Sequence, residues 1–334
     1  MSKIRVAFIG AGAQANARHY PSVSSMPDVE IAALADLNPE RARETAERWD
    51  IPKVYSDYKK MLDEVDPQAV YIIMRPDVWQ DLAAYTLKQG RHVFSEQPPV
   101  LTTTQIRMLA YHAEQHRCLT MVSFQRRFIP AQTELRRRIE ERGPVHTARV
   151  EFHKTTQHLA SHGGMTDWDG LLDWLNADGI HAVDCMRFLC GGEVTRVVSN
   201  LRPLYVDAPF ASAISAIVEF STGAVGQLFT GFVMGRRIFR AEFHGRDISA
   251  YVDADRESYI VADNAEPEAW KSSHFGADLI KKWPKLSPNN FWEGHWHTHR
   301  HFIDCLQENR QPSSSFADAT KTRQLIDQII HQGA

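Results

Sequence analysis

The sequence predicts two units of different grammar: an α/β unit on a doubly wound parallel sheet, then an α+β unit with a large, mostly antiparallel open sheet. Three observations carry this reading. Short apolar runs alternate with helical stretches over the first third of the chain, a glycine-rich turn joins the first run to the first helix, and from Val194 onward strand-like runs follow one another with few helices between. A length of 334 residues favours two domains over one core. The boundary is expected at residue 123, giving one domain over 1–123 and a second over 124–334.

Ile4 to Ile9 has strand length and ends in Gly10-Ala11-Gly12-Ala13-Gln14-Ala15, ahead of a small-residue stretch that favours helix. Ile31 to Ala35 is a second strand ending in Asp36, and Asn38-Pro39 supplies an N-cap and a proline at the first helical position. Ala69 to Met74 is a third strand, with Asp77 as N-cap of a helix that stops at Gly90. His92 to Phe94 follows, then a capping box of Thr102 and Gln105 opening a helix to about His116, then a strand from Leu119 to Phe124. Repetition of apolar strands and helices argues for a parallel sheet covered on both faces. Beyond residue 125, Pro130 to Arg142 reads as a helix closed by Gly143, and Val145 to Phe152 as a strand. Ala211 to Phe220, Ala224 to Phe232, Arg237 to His244 and Ile248 to Val252 follow, and Thr222-Gly223, Gly235 and Gly245-Arg246-Asp247 read as hairpin turns between them. Two helices close the chain, Thr298 to Glu308 and Phe316 to His331, divided by Pro312.

Charge narrows the function. With 38 basic and 41 acidic residues the net charge is -3, which provides no overall basic field to hold nucleic acid or an anionic membrane. Cys118, Cys185, Cys190 and Cys305 form no C-x-x-C pair and read as free thiols in a reducing compartment. No apolar run approaches the ~20 residues that cross a bilayer, and Val6 to Ile9 leads into a glycine turn instead of a cleavage site. A cytoplasmic protein is expected.

In the glycine turn, Gly10 permits the tight bend, Gly12 lets the backbone approach a pyrophosphate, and Ala15 is small enough for helix and strand to pack closely, with Ala13 and Gln14 at the anion-favouring helix N-terminus. Asp36 ends the second strand 24 residues beyond Gly12, placed to reach a ribose hydroxyl. Its carboxylate would repel a 2'-phosphate and Leu37 supplies no cation, so NAD is favoured over NADP. This is the sequence context of a Rossmann dinucleotide site.

Five segments then carry a resemblance: Gly10 to Ala15, Val70 to Pro76, Val93-Phe94-Ser95-Glu96-Gln97-Pro98, Arg127-Phe128-Ile129-Pro130 and Asp178-Gly179-Ile180-His181-Ala182-Val183-Asp184. Their order resembles that of the Gfo/Idh/MocA oxidoreductases, a family that includes glucose-fructose oxidoreductase and inositol dehydrogenase. The resemblance implies an N-terminal Rossmann domain, a C-terminal domain whose sheet mediates homodimers or homotetramers, and NAD(P)-linked redox chemistry on sugars or cyclitols. It also implies cofactor contacts from Met74, Arg75, Pro76, Glu96, Gln97 and Arg127. The family's Glu-Lys-Pro motif reads Glu96-Gln97-Pro98 here. Gln97 can donate a hydrogen bond to a substrate oxygen but cannot titrate, and losing a preorganised charge costs ~3 to 4 kcal/mol of transition-state stabilisation unless another group compensates.

His181 is the expected compensator, and the resemblance implies that it faces the substrate. Asp178 at minus three is its helical neighbour and would orient the imidazole and raise its pKa; many family members carry the aspartate at minus four, where this chain has Ala177. Lys154 ends a strand and supplies a candidate ammonium, or snorkels from a sheet edge. His158, His162, Trp168 and Trp174 offer imidazoles and stacking faces for a sugar, or core packing. His295, His297, His299 and His301 form i,i+4 pairs on a helix, but no third ligand has motif spacing, so no metal is expected. Arg126 and Arg127 suit either a phosphate or substrate role or structural ion pairs. The reading is therefore an NAD-dependent dehydrogenase acting on the CH–OH group of a sugar, cyclitol or related molecule: Gln97 orients the oxygen, and His181 handles the proton with help from Asp178. Two alternatives stay open: an NAD-retaining lyase, hydrolase or epimerase, and a catalytically silent NAD-binding sensor or partner subunit.

Overall fold

The computed structural model describes residues 3–100, 102–155, 175–203, 212–254, 257–271 and 277–332. The chain divides into two compact units: Met1–Gln125 with Gly276–Thr320, and Arg126–Phe275 with Lys321–Ala334. The break at Gln125 lies two residues from the sequence-based boundary. The return of 276–320 to the first unit differs from the expected single division.

In the first unit, six strands form one parallel sheet: β1 Ile4–Ile9, β2 Val29–Ala35, β3 Val54–Tyr55, β4 Ala69–Ile72, β5 His92–Ser95 and β6 Thr120–Val122, in the order β3-β2-β1-β4-β5-β6. Strand order reverses between β1 and β4, which opens a crevice at the carboxyl ends of those strands. The sheet interior is an aromatic stack, Tyr20 on Phe8 (4.3 Å), Phe8 on Tyr71 (4.7 Å) and Tyr71 on Phe94 (4.7 Å).

Local signals place the helices. A π-turn over Ala15–His19 runs into α1 (Tyr20–Ser24). Asn38 caps α2 (Pro39–Trp49) by accepting the Arg41 N–H at 3.0 Å, and Thr102 and Gln105 close the expected capping box on α5 (Thr103–Gln115). Helix α3 (Tyr58–Val65), capped by Asp57, and the two-residue β3 are too short for periodicity to show. Helix α4 (Pro76–Lys88) corrects one expectation: Asp77 lies inside its first turn and pairs with Arg75, because Pro76 occupies the first helical position.

Residues 277–320 belong with this sheet because their backbone closes its edge. Val122 N–H donates to Ser314 O at 2.8 Å, and Ser314 Oγ donates back to Val122 O at 2.8 Å. The unpaired side of β6 is covered. These residues add α8 (Ala277–Lys282), α9 (Pro288–Trp292) and α10 (His295–Glu308).

In the second unit, α6 (Pro130–Glu140) precedes β7 (Thr147–His153), and α7 (Ile180–Cys190) precedes β8 Val194–Arg202, β9 Ala213–Phe220, β10 Val225–Gly231, β11 Ile238–Gly245, β12 Ile248–Asp253, β13 Glu257–Ala262 and β14 Glu268–Lys271. The eight strands order as β14-β13-β12-β11-β7-β10-β9-β8. Thr222-Gly223 and Gly245-Arg246-Asp247 do turn hairpins, but Gly235 does not. There β7 inserts between β10, which it pairs in parallel, and β11, which it pairs antiparallel. A period-two pattern predicts strands, not which earlier strand intervenes. Alternating burial along β9 and β10 shows one covered face. Helix α7 lies close on that face: a Cβ on Gly226 would stand 2.7 Å from Met186 Cγ. Helix α11 (Phe316–Gln332) begins in the first unit and ends in the second.

Candidate active site

The expected residues fall into two groups, one in each unit. In the first, Gly10 bends at φ 110°, and a Cβ there would stand 2.3 Å from Ile73 O, so no larger residue fits. The same Cβ would stand 3.1 Å from Met74 Sδ, which puts Met74 against the turn. Gly12 faces open space, with nothing within 4 Å of a Cβ built on it. Ala13 and Gln14 are exposed beyond it, while Ala15 is buried. An uncluttered backbone ahead of a helix start is what a diphosphate requires. Arg75 and Pro76 lie at the start of α4, Arg75 exposed and bonded to Asp77.

Asp36 closes onto this turn. Its Oδ2 accepts the Ala11 N–H at 2.8 Å, and its Oδ1 accepts the Asn38 N–H at 2.9 Å and Arg41 Nη2 at 2.7 Å. Burial alone would raise the carboxyl pKa; hydrogen bonds from Arg41, Asn38 and Ala11 outweigh it and hold Asp36 below its ordinary value. Leu37 is 85% exposed and uninvolved. The cation beside Asp36 is therefore Arg41, which the sequence reading missed. A guanidinium in a helix's first turn opposes the helix dipole, and that local conflict was the available signal.

Asn16 was also missed. Its Nδ2 donates to Ala11 O (2.9 Å) and Gly12 O (3.2 Å), while its Oδ1 accepts Trp49 Nε1–H at 2.8 Å. The turn is held from below and left open above. The Glu96-Gln97 turn follows β5. Glu96 Oε2 accepts the Gln97 N–H at 2.9 Å, and Glu96 Oε1 lies 2.6 Å from His19 Nε2. His19 is fully buried.

In the second unit, His181 is 7% exposed on α7, its ring edge-on to Phe152 at 5.6 Å. Burial, then the charges of Arg126, Lys154 and Arg237, push its pKa well down, so the imidazole is neutral near pH 7. This reverses the expectation that Asp178 would raise it. Asp178 lies on a π-turn over Leu175–Gly179 and bonds instead to Lys154, with Nζ and Oδ1 2.5 Å apart. Burial lowers the Lys154 pKa, and Asp178 opposes that shift.

Arg127 takes the structural ion pair that the sequence left open. Expected at the cofactor, it is 3% exposed, with Nε and Nη2 on the two oxygens of Asp184 and the guanidinium over Phe188. Thr322 Oγ1 also donates to Asp184, and Arg187 Nε donates to Thr322 Oγ1. This is a buried structural network. Arg126 is buried with its guanidinium over the Phe239 ring. His158, His162, Trp168 and Trp174 lie outside the described residues.

The histidines of α10 separate. His299 is buried against Phe94 and Tyr71, His297 packs on Phe291, and His301 Nε2 accepts the Ser313 N–H. Among the described residues no group of three or more His, Cys, Asp or Glu is disposed to hold a metal.

A glycine turn open to a diphosphate, closed by a strand-end carboxylate at the switch point of a 3-2-1-4-5-6 sheet, defines a dinucleotide-binding protein of Rossmann type. The chain belongs to the Gfo/Idh/MocA family. The family's model for the oxidoreductase NAD-binding Rossmann fold matches residues 4–124, and its C-terminal domain model matches residues 134–251. The chain is similar to scyllo-inositol 2-dehydrogenase (NAD(+)) of Bacillus subtilis (strain 168), at 25% identity over 332 residues, 95% of this chain and 90% of that protein. It shares its fold with a dehydrogenase from Chromobacterium violaceum (TM-score 0.84, 21% identity, 99% of this chain and 95% of that one). Levoglucosan dehydrogenase in complex with NADH and levoglucosan has the same fold (TM-score 0.82, 19% identity, 99% and 97%).

Proposed function

We propose that this protein is an NAD-dependent dehydrogenase acting on a CH–OH group of a sugar, cyclitol or related oxygenated small molecule. The observation that carries the reading is the closure of Asp36 onto the open glycine turn, with relatives named for cyclitol and sugar oxidation supporting the substrate class. NAD, when bound, supplies the hydride acceptor. Gly10, Gly12, Ala13 and Gln14 receive the diphosphate, Asp36 the adenosine ribose, and Met74, Arg75, Pro76, Glu96 and Gln97 line the remainder.

Gln97 orients the reacting oxygen by donating from its amide. His181 takes the proton at Nε2; its lowered pKa keeps the base form populated at neutral pH. Lys154, drawn to Asp178, offers an ammonium to substrate oxygen, so Asp178 serves His181 through Lys154. His158 and Trp168 complete the substrate contacts. The open face of the second sheet, where Val198 and Ile217 are each 50% exposed, is the surface for a homodimer or homotetramer. Four buried free cysteines and the lack of a membrane-crossing helix among the described residues support a cytoplasmic location.

The test is NADH formation at 340 nm against a panel of sugars and cyclitols, with His181→Ala on the substrate that turns over. Loss of about a hundredfold or more in kcat is expected for removal of the base. Unchanged turnover would remove His181 from the mechanism.

A further inference from the structure

We propose that His19 is a positioning residue that ties the helix behind the diphosphate turn to the Gln97 turn, so that seating the dinucleotide on the first orders the second. The proposal rests on the cofactor reading above. One carboxylate joins the two elements: Glu96 Oε1 lies 2.6 Å from His19 Nε2, and its Oε2 accepts the Gln97 N–H at 2.9 Å. His19 ends the π-turn over Ala15–His19, whose wider coil buries both of those residues. That turn is continuous with the glycine loop, since Asn16 N–H donates to Gly12 O at 3.1 Å and the Asn16 amide clasps Ala11 O and Gly12 O. A shift of the loop is therefore carried along one short rigid segment to the imidazole.

The ring itself has little freedom. It meets Phe94 edgewise at 5.9 Å and His299 at 5.0 Å. Its Nδ1 lies in the core with no hydrogen-bond partner among the described residues, so the ring proton is least costly on Nε2, facing the carboxylate. Glu96 thus receives two N–H donors on separate oxygens, and a carboxylate is the only side-chain group of that size able to do so. Its backbone partner belongs to Gln97, whose amide handles the reacting oxygen in the proposed mechanism.

The experiment measures amide hydrogen exchange at Glu96 and Gln97 in the full chain with and without NADH, beside NADH affinity by fluorescence titration. In the wild type, NADH is expected to slow exchange there by about tenfold. His19→Phe fills the ring volume without the donor: the protection should vanish, while NADH affinity changes less than about threefold. His19→Gln restores a donor and should restore the protection. Glu96→Gln supplies a second route if His19→Phe does not fold, because it turns one of the two acceptor oxygens into an NH2 that faces an N–H donor; it too should lose the protection. Equal NADH-dependent protection in wild type and a folded variant lacking the pair overturns the proposal. Absence of NADH binding to the wild type overturns the cofactor reading itself, and the affinity titration separates the two failures.

Discussion

Asp36 shows how one side chain can be read correctly in kind and incompletely in setting. Its place at a strand end after a glycine turn was legible, whereas its bond to Arg41 was not, because that contact depends on how α2 leaves the strand. The pair makes a prediction. Asp36→Ser removes the negative charge and one of the two acceptor oxygens proposed to face the ribose and frees Arg41 for a 2'-phosphate, so NAD affinity should fall about tenfold to a hundredfold while NADP affinity rises, by titration with each cofactor. Asp178 teaches the converse: helical spacing to His181 suggested a partnership, and the π-turn before α7 turns the carboxylate to Lys154. Lys154's charge helps to lower the His181 pKa. In Lys154→Met that contribution is lost, the pKa rises, and since the neutral imidazole is the active form, the acid limb of a kcat/KM profile should move to higher pH. An unmoved limb would show that another group titrates there.

Elements announced by local chemistry were the most legible. Asn38-Pro39 and the Thr102–Gln105 box are contained within single turns, so neighbouring structure cannot override them. Gly235 failed as a hairpin because a strand some 90 residues earlier takes the place between β10 and β11, and pairing partners across that separation leave no period in the sequence. The close seat of α7 on Gly226 is likewise tertiary, and it sets where His181 stands. Gly226→Val would force Met186 and the helix away, and a loss of ~1 to 3 kcal/mol in urea unfolding is expected.

For the whole molecule, the sheet of the second unit presents an open face whose arginines and carboxylates alternate, Arg149 bonded to Glu151 and Arg240 to Asp253. The proposed contact with a second copy rests on the apolar Val198 and Ile217, each 50% exposed. On the assembly proposed above, light scattering should give the mass of two or four chains and Ile217→Arg should reduce it to that of one; a wild-type mass of one chain overturns the assembly, and an unchanged mass in the variant assigns it to another surface. The sequence by itself determined the two kinds of sheet, the glycine turn and the strand-end place of Asp36, because each is written in the order and spacing of residue types along the chain. The tertiary structure alone decided that 276–320 closes the edge of the first sheet, that Arg127 pairs with Asp184, and that Lys154 holds Asp178. Those outcomes depend on which distant groups meet once water is excluded, and a buried charge takes whichever partner the packing brings to it.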